Sequence, residues 1–179
     1  MYTISPERPE HAAAIEALLD ASFGPDRFAK TVYRLREGVD PVADLSYVAV
    51  EDGVLKGSLR FWPVLIAGRV PALMLGPLAV DPAERGRGMG IALMEHALAE
   101  AARLGHRIVI LVGDAPYYAK VGFARAGAVD LRLPGWVDEN RFLARELVPG
   151  ALAGVAGMVE RAPSKRTPAE APRRASGTA

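Results

Sequence analysis

The stretch from residue 70 to residue 91 constrains the fold most, because an apolar run, a glycine-rich loop and a helical pattern follow one another there. Residues 70–80 are apolar almost throughout, which is typical of a strand covered on both faces. The loop at residues 85–90 has glycine at every second position, and apolar residues then recur at helical spacing from Ile91 to Leu98. The stretch predicts a strand, a tight loop and an amphipathic helix that packs back onto a sheet.

The rest of the chain supplies further helices and strands around this unit. Helical patterns follow Arg8-Pro9-Glu10, span residues 28–35 and follow Asp114. Strands are predicted at residues 47–50, 55–66, 70–80, 107–112, 128–133 and 142–148. Asp52-Gly53 signals a hairpin, whereas the strand–helix–strand order after residue 70 signals a crossover. This mixture predicts one α/β (mixed α+β) domain, with a mixed β-sheet and helices on both faces.

Composition and charge exclude several classes of function. The 179 residues include no cysteine, which rules out disulfides and thiolate catalysis, and the three histidines are scattered without metal-ligand spacing. Residues 1–160 carry 17 basic and 20 acidic residues, which argues against a nucleic-acid partner. No signal-peptide pattern and no apolar run of about 18 residues is present, so we expect a cytoplasmic protein without a membrane partner.

The C-terminal part differs in composition from the rest. After Gly150 the chain is rich in alanine and glycine, and from Arg161 it has five basic residues and one acidic residue among prolines and serines. We therefore expect a domain at residues 1–150 and an extension at residues 151–179 that is disordered from about residue 161.

The glycine-rich loop has the chemistry of a diphosphate site. The first turn of a helix leaves amide groups without partners and favours anions, and Arg85 and Arg87 add positive charge. A P-loop is excluded, because Gly90 is followed by Ile91 rather than by Lys-Ser or Lys-Thr. A dinucleotide fingerprint fits poorly, because residues 81–85 separate the strand from the first glycine.

Two motifs carry a resemblance to a known family. Arg85-x-x-Gly88-x-Gly90 resembles the (Gln/Arg)-x-x-Gly-x-(Gly/Ala) signature of the GNAT (Gcn5-related N-acetyltransferase) superfamily, and residues 118–123 resemble its Tyr-x-x-x-Gly-Phe element. The order and separation of the motifs match, and the resemblance covers residues 6–148. Gly-Pro-Leu-Ala-Val before the loop and Tyr-Tyr before Gly-Phe look most like the YhbS-like bacterial branch.

The resemblance implies a splayed sheet, acetyl-CoA as co-substrate and no metal. The Gly76-Pro77 break fits the splay, since proline cannot donate to a neighbouring strand. The N–H of Leu78 would polarise the thioester carbonyl, and Tyr118 would be the general acid, with Tyr117 as the fallback and packing as the alternative role. The residues expected to bind coenzyme A are Leu78, Ala79, Val80, Arg85, Gly86, Arg87, Gly88, Met89, Gly90 and Ile91.

The general base is open. Some family members have a glutamate where Met74 stands here, and methionine cannot accept a proton. A water relay or an amine that binds already neutral would replace the glutamate. Asp114 is expected to be an N-cap rather than a base, and His106 a surface residue.

The acceptor is expected to bind between the loops at residues 23–27 and 134–141, as the resemblance implies. The acidic side chains of these loops either attract a cationic amine or are merely solvated: Asp26, Asp138 and Glu139. Trp136 either lines the acceptor pocket or caps the core, and Trp62 is expected to pack.

The leading hypothesis is transfer of an acetyl group from acetyl-CoA to a primary amine of a small molecule or a protein. A non-catalytic acyl-CoA-binding sensor is the alternative that the methionine at position 74 keeps open. Acylation of RNA-borne aminoacyl groups fits the acidic body poorly, and a homodimer is expected only by analogy with the superfamily.

Overall fold

Residues 1–163, which a computed structural model describes, form eight β-strands and four α-helices. The strands are β1 (Thr3–Pro6), β2 (Tyr47–Glu51), β3 (Val54–Ile66), β4 (Val70–Val80), β5 (Ile108–Val112), β6 (Leu131–Arg132), β7 (Phe142–Glu146) and β8 (Gly157–Arg161). The helices are α1 (Ala12–Phe23), α2 (Thr31–Arg34), α3 (Met89–Arg103) and α4 (Ala115–Ala119). No helix in this part of the chain is long and apolar enough to span a bilayer.

The strands form a mixed sheet in the order β1-β2-β3-β4-β5-β7. The β4–β5 pair is parallel, and the other pairs along this path are antiparallel. β8 pairs with the end of β3 and with the short strand β6. The prediction of a mixed sheet made from hairpins and one crossover is confirmed.

Two hairpins connect β2, β3 and β4, and the first forms at the Asp52-Gly53 turn that the sequence predicts. Asp52 and Gly53 have φ values of 51° and 76°, so two consecutive residues lie in the left-handed region, as a two-residue hairpin loop requires. Ala67 and Gly68 have the same character, with φ values of 52° and 66°. These turns bring β2, β3 and β4 side by side.

Helices cover both faces of the sheet, as predicted. α3 buries one side against β2, β3 and β4, and this cluster includes Phe61, Leu73 and Leu93. α1 packs on the opposite face, where Ile15 and Leu19 meet Val48 and Ala79. Side chains alternate across a strand, so neighbouring residues of β2 and β4 serve the two layers in turn.

The sheet splays between β4 and β5. These strands pair only at Leu73–Val109 and Met74–Ile110, whereas β4 continues beside β3 as far as Val80. The separation begins next to Gly76-Pro77, which are joined by a cis peptide bond, and Pro77 has no N–H to offer a neighbour. The last residues of β4 therefore have β3 on one edge and an open cleft on the other.

The predicted second helix is wrong in its length. A 3-10 turn at Arg27–Ala29 is separated from α2 by Lys30, whose backbone is extended with φ of −68° and ψ of 144°. Leu35 is buried but Phe28 is 62% exposed, so the apolar spacing reflects two short turns and not one continuous helical face.

One strand prediction needs correction, and two strands were not predicted. Of the predicted strand at residues 128–133, Ala128 ends a 3-10 turn, residues 129–130 form a turn, and only β6 is a strand. The sequence analysis missed β1 and β8, because β1 is four residues long and ends at Pro6, and because Val159 is the only buried residue of β8. Pairing with longer neighbours creates these strands, and a local pattern does not reveal it.

β8 also bears on the predicted domain limit. This strand extends the sheet beyond Gly150, because it pairs with Val64–Ile66 of β3. Arg161, where the predicted disorder starts, is the last residue of β8, so the prediction overlaps the end of this strand. Residues 164–179, to which the rest of that prediction applies, lie outside the described part of the chain. The division at residue 150 stays a prediction.

Candidate active site

A cleft of about 500 Å³ opens where β4 and β5 diverge. Its walls are the end of α1, residues 78–80 of β4, the glycine-rich loop with the first turn of α3, and Tyr117 and Tyr118 of α4. We call it the β4 cleft. It brings together Tyr118 and every residue that the sequence predicts to bind coenzyme A except Arg87.

The glycine-rich loop presents a row of free amides to the β4 cleft. Gly86 and Gly88 have φ values of 83° and 77°, which residues with a side chain rarely adopt, and Gly88 is the N-cap of α3. Within residues 1–163 the amides of Gly86, Gly88, Met89, Gly90 and Ile91 donate to no backbone or side-chain acceptor. A fifteen-residue helix directs its positive end at the same place, so the loop can hold a diphosphate.

The two arginines of the loop have different surroundings. Arg85 is exposed and lines the β4 cleft, where it can meet an anion. Arg87 turns away, since its guanidinium lies 3.2 Å from Glu51 and also contacts Glu84. The Arg87 side chain therefore stabilises the loop from outside the cleft.

Gly90 is small because Tyr117 occupies the space beside it. A Cβ atom at Gly90 would overlap the Tyr117 hydroxyl, whereas every other neighbour would be at least 3.6 Å away. This contact joins the first turn of α3 to α4 and closes one wall of the cleft. The glycine pattern of the motif gave no indication of this steric role.

The open edge of β4 offers backbone groups in a defined order. Asp81 N–H donates to Lys56 O at 2.8 Å, and the register pairs Ala79 with Ser58. Because hydrogen-bonded residues alternate along an antiparallel pair, the backbone N–H and C=O of Ala79 point towards β3. The backbone N–H and C=O of Leu78 and Val80 point towards the cleft. The N–H of Leu78 is thus available to a carbonyl oxygen in the β4 cleft.

Tyr118 is held in place by close packing. Its ring packs edge-on against Tyr117 and Phe123, with centroid distances of 5.1 and 6.2 Å. Gly113 must lack a side chain, because a Cβ atom there would overlap the Tyr118 ring. Burial, with Tyr117 adding to it, raises the pKa of Tyr118 to about 12, so its hydroxyl keeps its proton at neutral pH.

None of the three positions considered for a general base supplies a free proton acceptor to the β4 cleft. Met74, on β4, is fully buried in an apolar cluster, so it brings no proton-accepting group to the site. Asp114 accepts a hydrogen bond from Tyr117 N–H at 3.1 Å, which is the predicted N-cap role. His106 is half-buried at the start of β5, outside the cleft, and burial lowers its pKa.

The loops expected to bind the acceptor have mostly structural contacts. Asp138 caps the 3-10 turn at Glu139–Arg141 by accepting from Asn140 N–H at 3.0 Å. Trp136 is 85% exposed, which excludes a core-capping role. Asp26 is also exposed, and it lines neither the β4 cleft nor the second pocket, which is next to Trp62.

Trp62 packs against the core, as predicted, but also donates from Nε1 to the carbonyl oxygen of Gly76 at 2.7 Å. It lines a second pocket of about 360 Å³, whose wall includes Pro77 and several arginines. Sequence analysis missed these arginines, because they are dispersed from residue 27 to residue 60 and form no motif. No group of three or more His, Asp or Glu residues within residues 1–163 is arranged to hold a metal ion.

Comparison with known proteins agrees with this geometry. Residues 43–125 match the family described as Acetyltransferase (GNAT) domain. The chain therefore belongs to the GNAT family of acetyltransferases, since a full-length relative is also similar. That relative is YhbS of Escherichia coli K12, described as an uncharacterized N-acetyltransferase, which is 37% identical over 156 residues, or 86% of this chain and 92% of YhbS.

Two solved structures share the fold over most of their length. The complex of E. coli YhbS with CoA has a TM-score of 0.76 at 36% identity and covers 90% of this chain and 89% of that chain. A GNAT family acetyltransferase from Brucella melitensis in complex with acetyl-CoA has a TM-score of 0.67 at 30% identity, with coverage of 92% and 97%. The fold prediction of the sequence analysis is thereby confirmed.

Proposed function

We propose that this protein transfers an acetyl group from acetyl-CoA to a primary amine of a small molecule or a protein. The observation that carries the proposal is the β4 cleft, in which five free amides lie beside the open edge of β4 and beside Tyr118. The amides suit the diphosphate of coenzyme A, and the strand edge suits the amide groups of its pantetheine arm. The relatives in complex with CoA and acetyl-CoA support the same ligand.

The β4 cleft supplies a group for two steps of the transfer, the attack on the thioester and the departure of the sulfur. The amine nitrogen attacks the thioester carbonyl carbon, a C–N bond forms, and the N–H of Leu78 stabilises the charge on the carbonyl oxygen. The C–S bond then breaks, and the Tyr118 hydroxyl donates its proton to the departing sulfur and regains a proton from water. Because the pKa of Tyr118 is about 12, it serves as a donor and not as a base, and the proton of the amine leaves to water.

The non-catalytic sensor remains the second candidate, because the buried side chain of Met74 supplies no carboxylate base. The two functions differ in one measurement. Calorimetry with acetyl-CoA tests binding, and release of free thiol in the presence of an amine panel tests transfer. We expect saturable binding and amine-dependent thiol release. Binding without release for any amine in the panel would favour the sensor, and no affinity for acetyl-CoA would refute both functions.

A matched pair of variants tests the role of Tyr118. Tyr118→Phe keeps the ring that packs against Phe123 and removes only the hydroxyl. We expect the turnover number to fall by about 10²-fold or more, with acetyl-CoA affinity unchanged. Tyr117→Phe is the control, because it removes the neighbouring hydroxyl. An equal loss in both variants would contradict the assignment of Tyr118.

A further inference from the structure

The pocket beside Pro77 lies on the face of the sheet opposite to α3. Leu59 and Phe61 of β3 point into the core beneath α3, so Arg60 and Trp62, which alternate with them, point to the other face. Pro77 lies in the wall of the pocket, one residue before Leu78, whose N–H faces the β4 cleft. We call this cavity of about 360 Å³ the Arg36 pocket.

Most arginines of this pocket already have partners. Arg60 donates to both carboxylate oxygens of Glu7, at 2.9 and 2.6 Å. Arg27 pairs with Glu16 at 2.5 Å and with Asp20. Arg34, which is exposed, donates to a backbone carbonyl oxygen. These groups therefore hold the segment before α1 to β3, the turn at Arg27–Ala29 to α1, and α2 to the loop at Pro134.

Arg36 differs from them, because it is only 8% exposed and no carboxylate within residues 1–163 lies within 4.0 Å of its guanidinium. Its guanidinium carbon lies 4.6 and 5.7 Å from the ring centroids of Tyr33 and Trp62, and its Nε has no hydrogen-bond acceptor in the described part of the chain. A Cβ atom at Gly76 would lie 3.0 Å from Nη2, so a side chain at this position would press on the guanidinium.

The charge of this side chain is retained in spite of its burial. Burial lowers the pKa of Arg36 to about 10, which leaves the guanidinium protonated at neutral pH. A buried charge without a counter-ion is unfavourable, and a guanidinium binds a carboxylate or a phosphate through two parallel hydrogen bonds. The Tyr33 and Trp62 rings lie within cation–π distance of the guanidinium and help to position it.

We propose that the Arg36 pocket binds the acceptor through an anionic group, a carboxylate or a phosphate, that pairs with Arg36. The acceptor is then a small amine that carries such a group, with its nitrogen directed past Pro77 towards Leu78. The inference rests on the proposed acetyl transfer. It replaces the expectation that acidic loop residues attract a purely cationic amine, because the cavity next to the cleft is lined by four arginines and two glutamates.

A binding measurement tests the anion site without any turnover. In a Trp136→Phe background Trp62 is the sole tryptophan, and it lies beside Arg36. The probes are ω-amino carboxylates of two to five carbons, each compared with its own carboxamide, and O-phosphoethanolamine compared with ethanolamine. We expect saturable changes in Trp62 emission with the anionic member of a pair and at least a tenfold weaker response with the twin that lacks the anionic group.

Variants then assign the effect to Arg36. Arg36→Gln is expected to weaken binding of the anionic probe at least tenfold. Arg36→Lys keeps the charge but loses the two parallel hydrogen bonds, so its affinity should lie between those of the parent and Arg36→Gln. Arg103→Gln removes the same charge from an exposed arginine on α3 and is the control. Calorimetry with acetyl-CoA checks that each variant is folded. The comparison of the two probes of a pair uses protein with Arg36 unchanged, so it does not depend on the folding of any Arg36 variant.

The outcomes separate the two proposals. Equal binding of the twins with and without the anionic group, no saturable response to any anion, or unchanged anion affinity in folded Arg36→Gln would overturn the anion site. The difference between the carboxylate and phosphate probes identifies the anion. Anion-selective binding together with acetyl-CoA binding but without thiol release would support the anion site and refute the acetyl transfer.

Discussion

The contact between Gly90 and Tyr117 leads to a prediction with a defined sign. In Gly90→Ala the new methyl group overlaps the Tyr117 hydroxyl, and the next nearest atoms, which belong to Leu78 and to the Tyr117 ring, lie 3.6 Å away. The clash is therefore with one oxygen atom. Overpacking of this kind costs about 1–3 kcal/mol of unfolding free energy, while alanine in a helix gains up to about 1 kcal/mol over glycine.

The two terms separate in a double-mutant cycle. Gly90→Ala alone is expected to lower the unfolding free energy by about 0–2 kcal/mol. In a Tyr117→Phe background the overlapping oxygen is gone, so the same change is expected to raise the unfolding free energy by about 0.5–1 kcal/mol. The coupling between the two sites is then about 1–3 kcal/mol, and urea denaturation followed by circular dichroism measures it.

Acetyl-CoA affinity provides a second measurement on the same four proteins. The Gly90 amide is one of the free donors of the loop, so its displacement by the clash should weaken acetyl-CoA binding in Gly90→Ala. In the double variant the clash is absent, and binding should be restored. Tyr117→Phe has the wild-type loop and is the control. If Gly90→Ala changed the unfolding free energy equally in both backgrounds, the steric explanation for the glycine would be refuted.

Three further predictions concern the core, the surface charges and the ionisation of tyrosine. Leu93→Ala removes a fully buried side chain of α3 and should lower the unfolding free energy by about 2–5 kcal/mol, whereas Leu104→Ala, at a position 41% exposed, should change it by less than about 1 kcal/mol; similar losses would contradict the packing. Hydrogen bonds from Arg87 and the N-terminal amine lower the pKa of Glu51 to about 2, so its contribution to stability is present above pH 4.5 and disappears towards pH 2; Glu51→Gln should therefore be less stable than the parent at pH 7 but not at pH 2. Because the folded pKa of Tyr118 is raised, its stabilisation is present below pH 10 and is lost towards pH 12, and Tyr118→Phe should fall less steeply in unfolding free energy over that range.

The sequence predicts the elements around the glycine-rich loop well, because each has a strong local signal. The apolar run of β4, the left-handed turn at Asp52-Gly53 and the Asp114 cap depend on neighbouring residues alone. The same reasoning fails for β1 and β8, since these strands exist through pairing with distant partners. Similarly, the spacing of Phe28 and Leu35 suggests a helix that an extended Lys30 interrupts.

In the candidate site, too, some features follow from local motifs and others only from the folded structure. The free amides of the loop and the position of Tyr118 follow from motifs, so the sequence places them in one site before any coordinates are known. The orientation of Leu78 towards the cleft depends on the strand register, and the partner of Arg87 depends on β2. Arg36 has no motif, and only the folded chain shows that its counter-ion is missing among the described residues.

The last strand has a consequence for any shortened version of the chain. β8 covers residues 64–66 of β3 and holds β6 through Leu131 and Arg132. A polypeptide that stopped at Gly150 would leave the apolar end of β3, with Val64 and Ile66, as a bare hydrogen-bonding edge. Such edges recruit strands from other molecules, so truncation at Gly150 should promote self-association through intermolecular β-pairing.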